Sequence, residues 1–97
     1  MDPMALLSDA EVQAALASLP GWGRTGDEIE KAFACASFAD AIAFVVRIGF
    51  LAEAANHHPD IDIRWRNVRV ALTTHDAGGL TAKDIELAGA IEEVHRA

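Results

Sequence analysis

The sequence has little that would direct the chain to a membrane, to nucleic acid or to an oxidising compartment. It contains one cysteine, Cys35, so no internal disulfide can form and a reducing compartment suits it. The formal charge of −7 leaves no basic stripe that could release counterions from a phosphate backbone. No apolar run approaches the ~20 residues that span a bilayer, and no signal peptide precedes the first helix. These absences predict a soluble, acidic, cytoplasmic domain without a membrane or nucleic-acid partner.

Internal repeats and low-complexity segments are also lacking, and 52% of the residues are hydrophobic, which excludes a disordered chain. The 97 residues are enough for one domain, spanning 1–97, and not for two. A chain of this size buries only about 60–65% of its unfolded surface, so association with copies of itself would help. Cys35 is interpreted as a small hydrophobe rather than a nucleophile, because no histidine is near it in sequence.

The first third of the chain predicts one helix and one hairpin. Ser8 and Glu11 have the spacing of a capping box, which opens a helix predicted over about 9–19. A period-two segment follows, with Gly26 at its turn. Trp22 falls on the short first strand of this hairpin, either as a core aromatic or as part of a pocket.

The longest predicted helix, over about 38–56, is apolar on nearly all of its surface. Asp40 and Arg47 mark a narrow solvated stripe, so the rest must be covered by a sheet and by another helix or another subunit. Glu53 lies on the apolar arc and is expected to be paired. Helical geometry offers His57, four residues later, as its neighbour. The alternative is that Glu53 reaches solvent near the helix end.

Beyond Pro59 the apolar residues alternate, which predicts a second hairpin. The alternation shifts at Arg66-Asn67, where asparagine tolerates the left-handed conformation of a turn. A capping box of Thr81 and Asp84 opens a last helix over about 82–95. The order helix, two strands, helix, two strands, helix predicts an α+β fold, with a four-stranded antiparallel sheet and three helices packed on one of its faces.

Three of the four histidines are expected to converge on one site. His57 and His58 abut Pro59, which must end the preceding helix, and His75 follows the second hairpin. An antiparallel hairpin brings its two ends together, so His75 can lie near the other two. Imidazole titrates near neutrality (~6.5) and can give or take a proton at physiological pH. Three imidazoles around one cavity suit proton transfer to and from one small molecule.

Other interpretations of these residue types remain open. Three neutral imidazoles are a known zinc set, although the His-Glu-x-x-His spacing is lacking and no thiolate contributes. His58 could satisfy backbone carbonyls, and His75 could close a strand end. Asp84 fits its capping box without any functional demand, and Asp60 could cap a turn. His95 complements the dipole of the last helix and is given no catalytic role.

The joint spacing Glu53-x3-His57-His58-Pro59-x5-Trp65-x9-His75, followed by Asp84, resembles the signature of the pterin-4a-carbinolamine dehydratases. The likeness covers nearly the whole chain from about Leu6. It implies a four-stranded antiparallel sheet with three helices on one face, assembling as a homodimer or homotetramer. It also implies dehydration of 4a-hydroxytetrahydropterin to quinonoid dihydropterin, which regenerates the pterin after an aromatic amino acid hydroxylase has used it. No metal or bound cofactor is implied.

The resemblance further implies a role for each matching residue. His57 and His75 would be the acid/base pair around the 4a hydroxyl, and His58 would bind or deprotonate the pterin ring. Glu53 would orient and charge His57. Three further residues would shape the pocket: Trp22, Asp60 and Asp84.

The family also contains members whose role is partner binding, as a dimerisation cofactor of a transcription factor or as assembly-associated relatives without activity. A non-catalytic adaptor of the same fold is therefore the competing interpretation. The intact Glu-His-His-His set favours the enzyme, because an adaptor has little use for three converging imidazoles.

Overall fold

The chain alternates helices and hairpins in the predicted order, and the predicted α+β class is confirmed. The computed structural model describes residues 4–96. Their elements are α1 (Asp9–Leu16), β1 (Gly23–Thr25), β2 (Glu28–Ala34), α2 (Phe38–Ala55), β3 (Asp60–Arg64), β4 (Asn67–Leu72) and α3 (Ala82–Arg96). A short 3-10 turn, His75–Ala77, precedes α3. None of the helices within these residues is long and apolar enough to cross a membrane.

The four strands form one antiparallel sheet in the order β1-β2-β4-β3, so both hairpins contribute to it. In the central pair, Phe33 lies opposite Val68 and Ile29 lies opposite Leu72. All four of these side chains are buried, with at most 2% of their surface exposed. The alternation of the strands therefore gives the sheet one apolar face, and the core lies on that side.

The turn between β3 and β4 differs from its prediction. The left-handed residue is Trp65, with φ +54°, and Asn67 already belongs to β4. The register pairs Arg64 with Asn67, which leaves a loop of two residues, Trp65 and Arg66. A two-residue hairpin loop requires positive φ at its first position, whatever residue stands there. The alternation predicted the hairpin but placed its turn one residue too late and assigned the left-handed conformation to the wrong residue.

Helix α1 is opened by the predicted capping box and ends three residues earlier than predicted. Ser8 accepts from the Glu11 amide at 3.1 Å, and the Glu11 carboxylate accepts from the Ser8 amide at 2.9 Å. Beyond Leu16, Ser18 and Leu19 donate to carbonyls three residues back, which tightens the last turn. Leu19 nevertheless stays buried in the core.

Helix α2 ends at Ala55, because Asn56 adopts the left-handed conformation with φ +49°. This confirms the predicted extent up to its cap. At the other end Ser37 accepts from the Asp40 amide at 3.0 Å. The chain thus leaves the helical path one residue before His57.

This chain covers only one side of α2. Four side chains of α2 are buried against the sheet and α3: Ala41, Phe44, Ile48 and Ala52. Four large apolar side chains of the same helix remain exposed: Phe38, Ile42, Val46 and Phe50. These four are called the outer strip below. Phe50 is 75% exposed, which is unusual for a phenylalanine.

Cys35 packs against the core and is half-buried. Burial, with a smaller contribution from the charge of Asp40, raises the pKa of its thiol. A raised pKa lowers the thiolate population, and the thiolate is the nucleophilic form. These properties agree with the interpretation of Cys35 as a small hydrophobe.

Trp22 lies in the core rather than in a pocket. It is 6% exposed and packs edge-on against Phe33, with ring centroids 6.0 Å apart. Its indole donates to the Glu92 carboxylate at 2.9 Å. Lys31 also pairs with Glu92 and donates to the Pro20 carbonyl at 2.9 Å. This polar cluster ties the first hairpin to the C-terminal half of α3.

The Glu92 cluster predicts a specific loss of stability in acid. Burial alone would raise the pKa of Glu92, but hydrogen bonds from Lys31 and Trp22 outweigh it and hold the pKa below its usual value. A lowered pKa stabilises the fold above the ordinary titration range of glutamate (~4.3), and this stabilisation is lost as pH falls below it. Glu92→Gln should therefore cost about 1–3 kcal/mol of unfolding free energy at pH 7, and much less near pH 3.

Urea unfolding at the two pH values measures this difference. The exposed neighbour Glu93 supplies the matched control, and Glu93→Gln should change the free energy of unfolding little at either pH. A Glu92→Gln deficit that stays constant with pH would contradict the charged pairing.

Candidate active site

His57 is turned into the molecule by the end of α2. The left-handed Asn56 reverses the chain, and the His57 amide donates back to the Ala52 carbonyl at 3.0 Å. Pro59 follows two residues later and prevents any return to helix. The imidazole of His57 is consequently buried, with 8% of the residue exposed.

The buried partner of His57 is Asp84, in the first turn of α3. His57 Nε2 lies 2.6 Å from Asp84 Oδ1. Asp84 Oδ2 accepts from Thr74 Oγ1 at 2.8 Å and from the Thr81 amide at 2.9 Å. Asp84 is fully buried, so each of these bonds replaces water that the carboxylate lost on folding. Asp84 therefore has both roles that the sequence left open, because it caps α3 and also binds a histidine of the site.

This network assigns the proton of His57. An ionised carboxylate only accepts hydrogen bonds, and its three neighbours here can all donate. The hydrogen on His57 therefore sits on Nε2, and Nδ1 is left as the acceptor nitrogen. A neutral imidazole in this form can take a proton at Nδ1, and the Asp84 carboxylate then stabilises the resulting cation.

Glu53 pairs with His58, so its predicted pairing with His57 is wrong. Glu53 Oε1 lies 2.7 Å from His58 Nε2. The i to i+4 geometry requires an unbroken helix, and Asn56 ends α2 before His57 can reach Glu53. Both partners are largely exposed, at 79% for the Glu53 side chain and 58% for that of His58. The charge of Glu53 is therefore stabilised by solvent as well as by His58.

The three histidines do converge, as the hairpin argument predicted. His57, His58 and His75 line one cleft of about 200 Å³. His75 begins the 3-10 turn after β4 and is exposed. The other lining residues are Met4, Asn56, Thr73, Thr74, Asp76 and Lys83. The cleft is thus built where the end of α2, the end of β4 and the start of α3 meet.

Two residues expected to shape this cleft lie elsewhere. Trp22 bonds to Glu92, two helical turns beyond Asp84, a distance of about 12 Å along α3. Asp60 begins β3 opposite Ala71 and is exposed. Neither residue is among those that line the cleft.

His95 also lies outside the cleft, near the C-terminal end of α3. Its ring packs on Phe33 and Phe44, with centroids 4.8 and 5.0 Å away. Its neighbours are therefore aromatic rings, whereas those of His57 and His58 are carboxylates.

None of the six other lining residues was predicted as a site residue, and two of them, Thr74 and Lys83, bear on the chemistry of the cleft. Thr74 stands directly before His75. Threonine is common in and beside strands, so its presence there does not indicate a functional site. Lys83 lies between the two residues of the α3 capping box, where a lysine normally faces solvent. Lys83 lines the cleft together with the histidines, which is visible only in the folded chain.

Acid–base chemistry is what this arrangement supports. Within residues 4–96, no group of three or more His, Cys, Asp or Glu side chains is placed to hold a metal ion. His57 and His58 each use Nε2 to bind a carboxylate. The cleft thus presents one imidazole held in a defined tautomer beside two that are open to solvent, a set suited to moving protons on a bound molecule.

Comparison with known proteins gives the family. Residues 5–94 match the family model described as pterin 4 alpha carbinolamine dehydratase. A protein from Roseiflexus castenholzii named "Putative pterin-4-alpha-carbinolamine dehydratase" is 62% identical over 90 residues, which cover 93% of this chain and 97% of the relative. A protein of the same name from Nocardia farcinica is 55% identical over 91 residues, covering 94% of this chain and 96% of the relative.

Solved structures show the same fold. The crystal structure of a transcriptional coactivator/pterin dehydratase from Brucella melitensis has a TM-score of 0.90 and 29% identity, over 94% of this chain and 99% of that chain. A pterin dehydratase-like protein, identified as a RuBisCO assembly factor in the alpha-carboxysome, has a TM-score of 0.63 and 21% identity. That second match covers 76% of this chain and 86% of the other, and at this identity it shows the fold alone.

Proposed function

The chain belongs to the pterin 4 alpha carbinolamine dehydratase family, and we propose that it dehydrates a 4a-hydroxytetrahydropterin to the quinonoid dihydropterin and water. The observation that carries this proposal is the cleft itself, in which three imidazoles meet and a buried carboxylate fixes the proton of one of them. The substrate would be supplied by an aromatic amino acid hydroxylase, whose reaction leaves the hydroxyl on the pterin. The cytoplasm is the proposed compartment, because a lone Cys35 suits a reducing environment.

The reaction needs two proton transfers and no oxidant or reductant. The bond between the 4a carbon and its oxygen breaks, the oxygen takes a proton and leaves as water, and a ring nitrogen gives up its own proton. His57, which holds Nδ1 free to accept, suits the removal of a proton. His75, exposed at the cleft wall, suits its delivery and can be reprotonated from solvent. His58 would bind the ring, and neither a metal nor a bound cofactor is required.

The cleft has room beside it for a bicyclic ring and its substituent. A second cavity of about 340 Å³ adjoins the cleft and shares Thr73 and His75 with it. On the other side, His57 and Lys83 also line a groove of about 430 Å³ between α2 and α3. His57 and His75 therefore stand at the junctions of the central cleft with its neighbours. A flat substrate bound between them would contact both.

An absorbance assay tests the proposal directly. The decay of freshly generated 4a-hydroxytetrahydropterin is followed with and without the protein, and the protein should accelerate it. Decay at the rate of buffer alone would favour the competing proposal of a non-catalytic adaptor. The adaptor is retained as the competing proposal because the relative from Brucella melitensis is named a transcriptional coactivator as well as a pterin dehydratase.

The outer strip supports the further proposal that the chain assembles as a homodimer or homotetramer. Its four apolar side chains are exposed on one helix, although a monomer would normally leave few such groups in water. Packing two copies of α2 against each other would cover them with the same surface, as two-fold symmetry requires. The strip matches the apolar sides for which the sequence predicted a second cover.

Phe50→Glu should therefore break this interface, giving a monomer from a dimer or a dimer from a tetramer, because it places a charge at the most exposed point of the strip. Sedimentation velocity at matched protein concentration measures the change in mass. Ala14→Glu is the control, since Ala14 is exposed on a different helix, α1, and adds the same charge outside the strip. Equal masses for both variants and the unchanged protein would show that the strip is not the interface.

A further inference from the structure

We propose that Thr74 is a positioning residue for two histidines of the cleft at once. Its hydroxyl acts on His57 through Asp84, and its carbonyl holds the turn that carries His75. This inference deepens the proposed function and rests on it for its catalytic meaning. The contact of the hydroxyl can be tested without any activity.

The hydroxyl of Thr74 belongs to a directed chain of hydrogen bonds. Thr74 is 4% exposed, and its Oγ1 lies 2.8 Å from Asp84 Oδ2 and 2.8 Å from Thr81 Oγ1. A hydroxyl has one proton, and a carboxylate can only accept, so Thr74 donates to Asp84. Thr81 must then donate its own hydroxyl proton to Thr74. The chain therefore runs from Thr81 through Thr74 to Asp84, where it meets the proton of His57.

This chain fixes the orientation of the Asp84 carboxylate. Oδ2 receives two hydrogen bonds, from the Thr74 hydroxyl and the Thr81 amide, and Oδ1 is thereby presented to His57. Without the Thr74 hydroxyl, Oδ2 keeps one donor in a fully buried place, and the hydroxyl of Thr81 loses its acceptor. With one donor fewer, the carboxylate is fixed less firmly in this orientation, and Oδ1 is presented to the Nε2 hydrogen of His57 less consistently.

The backbone of Thr74 organizes the other histidine. Its carbonyl accepts from the amides of Ala77 at 3.1 Å and Gly78 at 3.0 Å, which closes the 3-10 turn that His75 begins. Its amide donates to the Gly79 carbonyl at 3.0 Å. Gly78 has φ +78°, so the turn reverses at a residue without a side chain to strain it. One residue therefore sets the placement of His75 and, through Asp84, of His57.

Two substitutions separate the hydroxyl from the shape of the side chain. Thr74→Val keeps the branched shape and removes the hydroxyl, whereas Thr74→Ser keeps the hydroxyl and removes a methyl group. Imidazole nitrogen NMR at about pH 8.5, above the ordinary titration range of imidazole, identifies which nitrogen of His57 carries hydrogen. We expect hydrogen on Nε2 in the unchanged protein and in Thr74→Ser, and a mixture of both forms in Thr74→Val.

Kinetics then test whether the position matters for turnover. Thr74→Val should lower kcat roughly 10- to 100-fold with KM changed less than about threefold, and Thr74→Ser should stay within about threefold of the unchanged protein. In Asp84→Asn, adding Thr74→Val should cost little more, because the hydroxyl acts through that carboxylate. Thermal unfolding of each variant confirms that it is folded at the assay temperature.

Several results would overturn the inference. One is a Thr74→Val protein with the His57 form and kcat of the unchanged protein. Another is an equal loss in Thr74→Ser, which would assign the effect to packing of the methyl group. Multiplying losses in the double variant would mean that Thr74 acts apart from Asp84. Should the unchanged protein lack dehydratase activity, the proposed function fails, and the NMR comparison still decides whether Thr74 positions His57.

Discussion

Replacing His57 or His75 by alanine is expected to slow dehydration by roughly 10²-fold or more, the usual contribution of a general acid or base. Each imidazole would move one of the two protons that the reaction requires. His57 is presented by the buried Asp84 with Nδ1 free to accept, and His75 lines the same cleft. The loss should fall mainly on kcat, because the transition state gains more than the bound substrate from a positioned proton donor or acceptor.

The measurement is the initial rate of decay of 4a-hydroxytetrahydropterin over a range of substrate concentrations. His95→Gln is the control for removing a histidine, since His95 packs on aromatic rings outside the cleft. It should leave kcat within about twofold, well short of a lost acid–base group. Full activity in both the His57 and His75 variants would remove the acid–base mechanism.

Asp84→Asn is expected to lower kcat by a similar factor, roughly 10²-fold, through the tautomer of His57. The amide oxygen should stay toward the donors from Thr74 and Thr81, which turns the amide NH₂ toward His57. Two donors cannot face each other, so the His57 hydrogen would move to Nδ1. Nδ1, the nitrogen proposed to accept a proton from the substrate, would then already carry a hydrogen. The buried change should also cost about 1–3 kcal/mol of unfolding free energy.

Glu53→Gln is the matched comparison, because it makes the same chemical change in the cleft's other carboxylate–imidazole pair. The Glu53 side chain is 79% exposed, and exposed pairs contribute at most about 1 kcal/mol. The expected loss in kcat is therefore at most about fivefold. Equal losses in Glu53→Gln and Asp84→Asn would contradict the division between a buried orienting carboxylate and an exposed one.

Local signals in the sequence predicted the fold well because they act over a few residues. The Ser8–Glu11 capping box lies at the start of α1 as predicted, and the alternation beyond Pro59 corresponds to β3 and β4. Hairpin geometry also brought His75 to the break after α2, since the ends of two paired strands must meet. These inferences need only the periodicity of the chain and the shortness of its turns.

The errors arose where one residue changes the direction of the chain. Asn56, a single left-handed residue, ends α2 before His57. Glu53 therefore pairs with His58 instead of His57, because helical spacing does not extend beyond a helix. For Trp22 the sequence left open a place in the core or in a pocket, and the structure has it in the core. Its indole is satisfied by Glu92, seventy residues away, and no local pattern encodes a bond over that separation. The Thr74 to Asp84 contact was equally invisible, since it joins a strand exit to a helix start.

The two tryptophans give the molecule a pair of optical reporters with opposite surroundings. Trp22 is 6% exposed in the core, whereas Trp65 is 68% exposed at the hairpin tip. Indole fluorescence shifts to longer wavelength in water, so unfolding changes the emission of Trp22 while Trp65 contributes a nearly constant background. The Trp65→Phe protein would therefore report core disruption alone. Its signal comes from the residue bonded to Glu92, a group whose lowered pKa predicts a loss of stability in acid.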